Sequence, residues 1–344
     1  MNDIFNLKTE ADFDQKCLET FRYQYQNIEV YRKFIDYLNI NPTDITNVEK
    51  IPFLPIEMFK NHTILDQTKS TNLFFQSSGT TQLNFSKHWI ADQNLYEESI
   101  AKSFEQFIGK PEDYIFLGLL PSYLEKQNSS LIYMVDFLMK KSGKPENGYF
   151  LYNHEELLEL LKKLSAQNKK VLLFGVSFAL LDFLDFAEVN QHIITSSEQL
   201  TIIETGGMKG RKEEMTKDEL LRILQKGFGT NKIYSEYSMT ELLSQAYSLG
   251  QNIYQSPNWM RILIRNTEDP FSYVGDGRNG AINIIDLANR HSCSFIATQD
   301  LGRILVNPEI PQEAQNDKEV LSKQFQVLGR IDHSDIRGCS LLVS

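Results

Sequence analysis

Three stretches of this chain combine residue types that could handle a nucleotide. The first, FFQSSGTTQLNFSKHW, sets Ser77, Ser78, Gly79, Thr80 and Thr81 in a hydroxyl-rich turn directly after the apolar Leu73-Phe74-Phe75. Such a turn can offer hydroxyls and backbone N–H groups to phosphate oxygens, and its glycine lets backbone come close. Lys87 or His88 could add positive charge. The turn is not a P-loop, because G-x-x-x-x-G-K-[ST] is absent. The second, IYSEYSMTELLSQ, ends a strand at Tyr237-Ser238-Met239-Thr240-Glu241. There Tyr237 could lie flat on adenine, Thr240 could hold the α-phosphate and Glu241 could bind Mg²⁺ through its carboxylate. The third is the pair TQDLGRILVNP and LGRIDHSDIRGC. Asp300, placed after a strand, could accept both ribose hydroxyls, and Arg330 could reach the ribose or a phosphate. Each stretch also has an ordinary reading: a polar loop, a strand followed by a capped helix, a surface salt bridge.

Together they say more. SSGTT, TGG, YSMTE, QDLGR and GRIDHSDIRG follow one another in that order from Ser77 to Gly338. The series resembles the adenylate-forming superfamily of acyl-CoA synthetases and luciferase-like enzymes. IPFLPIEMFK from Ile51, LPSYLEKQNSSLIYM from Leu120 and the ending DIRGCSLLVS are similar to the bacterial acyl-protein synthetases. These long-chain-fatty-acid luciferin-component ligases are the fatty-acid-activating component of bioluminescence reductase systems; phenylacetate–CoA ligases are a more distant likeness.

The resemblance implies an AMP-forming acid–thiol ligase that uses ATP and Mg²⁺. Its substrate would be a carboxylic, by likeness fatty, acid, and a thiol-bearing reductase or carrier protein could take the acyl group. Ser77 to Thr81 would form the phosphate loop. Gly206 and Gly207 would border the adenine pocket, with Tyr237 stacked on the base. Thr240 and Glu241 would serve phosphate and metal, Asp300 the ribose, and Arg330 the ribose or a phosphate. Asp332 would be the hinge position, and Cys339 the thiol that accepts the acyl group. Superfamily members continue for roughly another hundred residues, a small-domain length, into a mobile domain with a catalytic lysine. This sequence ends six positions after Gly338, so the small C-terminal domain is expected to be absent. Lys209, Arg211 and Lys87 then become candidates for the cation of the adenylation step. An acyl-CoA ligase, or a non-catalytic acyl- or nucleotide-binding subunit, is the alternative.

One other motif competes. Gly175-Val176-Ser177-Phe178-Ala179 follows an apparent strand and precedes a helix, and Asp300 and His333 come after it in the order of a serine hydrolase triad. Ala179 replaces the final glycine of G-x-S-x-G, and an oxyanion loop such as HGGG is missing. The segment reads instead as core or as the wall of an acyl slot, together with the apolar residues that follow it.

The elements that must position these residues alternate. Strands are expected at Tyr114 to Leu120, Lys170 to Gly175, Leu200 to Gly207 (with a turn), Lys232 to Ser238, Ala281 to Leu287 and Gly302 to Val306. Helices are expected at Ser129 to Lys141, His154 to Leu164 and Thr216 to Lys226, the last opened by the capping box Thr216-Lys217-Asp218-Glu219. This alternation predicts an α/β fold with largely parallel sheets flanked by helices and a β-rich end. Sites in such folds lie at the carboxyl ends of strands. Residues 1–70 read as a mainly helical N-terminal segment of the same domain, 71–338 as the adenylate-forming catalytic domain and 339–344 as a short tail carrying Cys339.

Bulk properties narrow the partners. A net charge of −10 disfavours nucleic acid, which needs a basic face. No stretch approaches the ~20 apolar residues of a membrane span, and the N-terminus lacks the pattern of a secretory signal. Three cysteines without a C-x-x-C pair argue against a disulfide framework or a zinc site. A cytoplasmic address is expected.

Overall fold

A computed structural model describes residues 3–77, 85–120, 128–192, 194, 198–206, 215–306 and 323–331. In chain order the helices are α1 (Glu10–Asn27), α2 (Glu29–Tyr37), α3 (Met58–Asn61), α4 (Gln93–Phe107), α5 (Ser130–Ser142), α6 (His154–Ala166), α7 (Ser177–Val189) and α8 (Lys217–Phe228). The strands are β1 (Leu54–Pro55), β2 (Phe74–Gln76), β3 (Lys87–Trp89), β4 (Ile115–Leu119), β5 (Gly148–Phe150), β6 (Val171–Val176), β7 (Leu200–Thr205), β8 (Ile233–Tyr237), β9 (Ala246–Ser248), β10 (Tyr254–Gln255), β11 (Met260–Arg265), β12 (Gly280–Asp286), β13 (Phe295–Ile304) and β14 (Phe325–Arg330). The chain divides into two compact units, one of residues 71–257 and one of residues 1–70 with 258–344.

In the 71–257 unit, β5, β4, β6, β7 and β8 lie side by side and parallel, and β9 and β10 extend the sheet antiparallel. Parallel neighbours need crossovers, and α5, α6, α7 and α8 supply them between successive strands. Strands covered on both faces read as continuous apolar runs. Accordingly every residue of β4, β6 and β7 is buried. This is why YIFLGLL, KVLLFG and LTIIETGG are legible as strands to within a residue or two. Thr216 caps α8, its hydroxyl accepting the Glu219 N–H at 3.3 Å, and Gly229 ends the helix in a left-handed turn.

The segment after β6 is core. Gly175 lies so close to Leu180 that a Cβ would stand 2.6 Å from its Cδ2. Phe178, Ala179, Leu180, Leu181 and Phe183 are all buried, and Phe183 stacks on Phe228 at 5.9 Å. These side chains pack in the core of the 71–257 unit, as the core reading of this segment expects.

The other unit is antiparallel. β11, β12, β13 and β14 pair in sequence, and the short β1 joins β13 in parallel. Helices α1 and α2 are fastened by aromatic rings: Tyr31 stacks on Phe295 at 6.2 Å, and Phe21 and Phe53 meet the same ring edge-on. Asp66 is a buried polar knot here. It accepts the Tyr23 hydroxyl, the Thr68 N–H at 2.9 Å, the Thr68 hydroxyl at 2.7 Å and the His291 ring nitrogen at 3.1 Å. β13 begins seven residues before the expected Gly302, so Asp300 lies within a strand rather than after one. The polar Thr298-Gln299-Asp300 obscures the strand in the sequence, and a register shift between Leu301 and Gly302 interrupts it. Among the described residues no helix is long and apolar enough to cross a membrane.

Candidate functional site

Parallel strands β7 and β8 aim two of the expected motifs the same way. Thr205 is paired with Glu236 across the ladder, so Gly206 and Tyr237 emerge side by side at the carboxyl edge. Gly206 has φ +74°, a left-handed conformation that favours glycine. Beyond Tyr237 the chain makes a turn, with the Leu242 N–H donating to the Met239 carbonyl at 3.1 Å, and returns as β9. No helix follows, unlike the ordinary reading of YSMTE. Thr240 is half-buried in that turn and Glu241 is buried. The Tyr237 ring meets the buried Tyr254 ring at 6.0 Å and 63°.

The β2–β3 hairpin, whose strands flank the hydroxyl-rich stretch in the chain, is tied to this turn. Ser77 closes the hairpin, its N–H donating to the Ser86 carbonyl and its hydroxyl accepting the Ser86 N–H, both at 3.1 Å. His88 is buried on β3, and its Nδ1 bonds the carbonyl of Thr240 at 2.9 Å. A carbonyl only accepts, so Nδ1 carries the proton. His88 therefore acts as a tether between hairpin and turn. Lys87 is exposed and lies 5.5 Å over the Phe74 ring. Ser78, Gly79, Thr80, Thr81, Gly207, Lys209, Arg211, Asp332, His333 and Cys339 lie outside the described residues.

A buried polar network below these ends escaped the sequence. Glu204, fully buried on β7, is ion-paired with Lys217. Its other oxygen accepts the Ser177 hydroxyl at 2.9 Å, and that hydroxyl lies 3.0 Å from the Gly206 carbonyl. Ser177, the nucleophile of the competing hydrolase motif, is thus a buried donor to a carboxylate. Burial works to lower the Lys217 pKa, but the Glu204 carboxylate and Tyr254 together outweigh it and raise the net value. Burial pushes the Glu236 carboxyl up, against hydrogen bonds from Ser238 and Thr205; the Thr205 hydroxyl donates at 2.6 Å. One signal could have exposed the network. Lys217 is a cation in the first turn of a helix, where the macrodipole disfavours positive charge.

In the other unit, Asp300 and Arg330 face each other across β13 and β14. Arg330 Nε lies 3.4 Å from Asp300 Oδ1, and the Asp300 N–H donates to the Thr298 hydroxyl at 3.1 Å. Of the cysteines, Cys17 and Cys293 are buried. Burial raises both thiols, Cys293 to about 12, so neither forms a thiolate readily.

Among the described residues no three His, Cys, Asp or Glu side chains gather as a metal cage. Mg²⁺ needs none in a nucleotide site, since one or two carboxylates and the substrate phosphates suffice. The buried Glu241 beside Thr240 fits that donor set.

Comparison with known proteins agrees with this architecture. A 2-hydroxyisobutyryl-CoA ligase, solved with its acyl-AMP and CoA, superposes with a TM-score of 0.67 at 12% identity, over 94% of this chain and 70% of that one. ATP-bound MatB from Rhodopseudomonas palustris gives 0.53 at 13% identity over 75% and 47%. The amide bond synthetase McbA from Marinactinospora thermotolerans gives 0.50 at 12% over 75% and 49%. These likenesses establish the fold, that of adenylate-forming enzymes. A search of curated proteins found no match. The model of the acyl-protein synthetase family LuxE matches residues 6–112 and 128–344, and the chain belongs to that family.

Proposed function

We propose that this protein activates a carboxylic acid with ATP and passes the acyl group to a protein thiol. The observation that carries this reading is the bond from His88 to the Thr240 carbonyl. It ties β3, the strand that follows Ser78 to Thr81 in the chain, to the turn bearing Thr240 and Glu241, which supports a shared role for these residues toward phosphate and metal. The family name supplies the acceptor class, and the fold of acyl-AMP-forming ligases supplies the chemistry.

In the first half-reaction a carboxylate oxygen attacks the α-phosphorus of ATP. The bond to the bridging oxygen breaks and pyrophosphate leaves. Ser77 to Thr81 and Thr240 hold the phosphates, and Tyr237 and Gly206-Gly207 flank the base. Asp300 holds the ribose hydroxyls, and Arg330 the ribose or a phosphate. Mg²⁺, held by Glu241, would neutralise phosphate charge. Lys209 is assigned the cation for the developing negative charge, with Arg211 and Lys87 as substitutes. Positioning and charge stabilisation are the protein's whole contribution to such a step. In the second half-reaction a thiolate attacks the acyl carbon, a thioester forms and AMP leaves. Cys339 is the proposed thiol; burial and raised pKa values make Cys17 and Cys293 poor nucleophiles. A fatty acid as substrate and a reductase or carrier as final acceptor follow from the family likeness.

Acid-dependent ATP–pyrophosphate exchange over a panel of carboxylic acids tests the first half. Labelled fatty acid plus ATP should give a hydroxylamine-labile label on the wild-type chain. Cys339→Ser should keep exchange and lose the label. Persistence of the label in that variant overturns Cys339 as acceptor. Transfer of all label to CoA would place the protein with the CoA ligases that it resembles in fold. No exchange with any acid would leave the binding-subunit reading.

A further inference from the structure

We propose that the Glu204–Lys217 ion pair positions the base-binding wall, and so sets how well adenine is distinguished from other nucleobases. The inference rests on the nucleotide reading of Gly206 and Tyr237 given above. It concerns residues that touch neither substrate nor reacting atoms.

Four observations lead to it. Glu204 lies on β7 two residues before Gly206, and Lys217, ion-paired with it, is the first helical residue of α8. Helix stability does not explain a lysine there, because a cation at a helix start opposes the macrodipole. Glu204 reaches toward Gly206 through Ser177, whose hydroxyl lies 2.9 Å from the carboxylate and 3.0 Å from the Gly206 carbonyl. Lys217 bears on Tyr237 from the other side, since its charge interacts with the Tyr254 hydroxyl and the Tyr254 ring meets Tyr237 at 6.0 Å. The linkage thus runs from Gly206 through Ser177 and Glu204 to Lys217, and from there electrostatically through Tyr254 to Tyr237. The two residues proposed to flank the base are its two ends.

Stability is a poor alternative reason for keeping such a pair. Two charges withdrawn from water can often be replaced by neutral groups of similar volume without loss, whereas removal of one partner strands the other. This asymmetry gives the test. Wild type, Lys217→Met, Lys217→Arg and the double variant Glu204→Gln/Lys217→Met are compared by urea unfolding and by calorimetric binding of ATP and GTP. Pyrophosphate exchange is followed with each nucleotide.

The double variant should unfold at the wild-type midpoint. It should nevertheless bind ATP about tenfold more weakly, the loss expected of one displaced charged hydrogen bond. Its preference for ATP over GTP should fall by a similar factor, with kcat at saturating ATP little changed. Lys217→Arg, which keeps the charge and the pairing, should restore both affinity and preference. Wild-type ATP affinity and base preference in the double variant would reduce the pair to a fold element and overturn the proposal. Should the wild type bind ATP but catalyse no exchange with any acid, the proposed reaction falls, and the binding pattern alone still decides the role of the pair. A wild type that binds no nucleotide overturns both.

Discussion

One ion pair of the molecule supports the residues proposed to flank the base, another is itself proposed to meet the ribose or a phosphate, and the two are built differently. In the 71–257 unit, Glu204 and Lys217 have side chains 0% and 22% exposed. In the other unit, Asp300 and Arg330 are 14% and 80% exposed. The first pair is enclosed by β7, α7 and α8, and its carboxylate is further engaged by Ser177. The second arises because two residues face each other across a β-ladder, with the arginine in water. Charges withdrawn from solvent must be matched inside the fold, so the first pair is bound up with the folded state. An exposed pair is screened by solvent and salt and contributes little to stability. The same chemistry, a carboxylate and a cation, serves a rigid frame in one unit and an adaptable contact in the other.

The comparison is tested most severely by Lys217→Met. It strands the buried Glu204 carboxylate, and a loss of about 3–5 kcal/mol is expected. Urea unfolding at neutral pH measures it, and Glu204→Gln in the same chain should recover most of the loss. A single-variant cost below about 1 kcal/mol, the range of an exposed pair, would erase the contrast.

The unit containing Asp300 is not soft throughout, and Asp66 marks its own rigid point. Burial pushes the Asp66 carboxyl up, but hydrogen bonds from Tyr23, Thr68 and His291 outweigh it and hold it at about 2. The folded value lies below the ordinary 3.8, so the stabilisation is present above pH 3.8 and fades as pH falls toward 2. Asp66→Asn should therefore cost ~2 kcal/mol at pH 7, and the difference from wild type should shrink toward pH 2. A pH-independent difference would mean that the loss is one of packing rather than of charge.

Tyr237 stands at the edge of the rigid frame and offers a ring rather than a charge. Tyr237→Ala should weaken ATP binding roughly tenfold or more, since base–aromatic stacking is worth about 1–3 kcal/mol. Tyr237→Phe should largely keep it, because stacking uses the ring face. Equal losses in calorimetric titrations of the two variants would assign the effect to the hydroxyl.

How much of this was legible in the sequence follows the same division. The frame strands announce themselves, because Val171–Val176 is buried and apolar throughout and Leu200–Thr205 is buried around the β-branched, apolar Ile202-Ile203. Thr216 and Glu219 announce the start of α8 by capping chemistry. The pair that joins these elements was not legible. A glutamate in LTIIETGG and a lysine in TKDEL carry no sign of each other until parallel pairing and a crossover helix bring them together. The burial of His88 was not legible for a related reason: only the hairpin register turns it inward, onto the Thr240 carbonyl. The strand that carries Asp300 was legible only from Gly302 onward, because Thr298-Gln299-Asp300 interrupts the apolar pattern that marks strands.

The smallest expected effect on stability, and the sharpest counterpart to Lys217, is Arg330→Ala. The guanidinium is mostly in water, and its Nε stands 3.4 Å from Asp300 at the long end of hydrogen bonding. Such a pair gains little Coulomb energy and is paid back in side-chain entropy, so unfolding should change by less than about 1 kcal/mol. Asp300 does not depend on the arginine for its backbone geometry, because its N–H is held by the Thr298 hydroxyl. If Arg330 belongs to the nucleotide, the same variant should raise the KM for ATP severalfold and weaken its dependence on salt, while the urea midpoint stays in place. Lys217→Met should show the opposite balance, with a large stability loss that outlasts added salt because the pair is screened from it. A lowered urea midpoint for Arg330→Ala with an unchanged KM would reverse the assignment, making the exposed pair structural and leaving ribose or phosphate recognition to other residues.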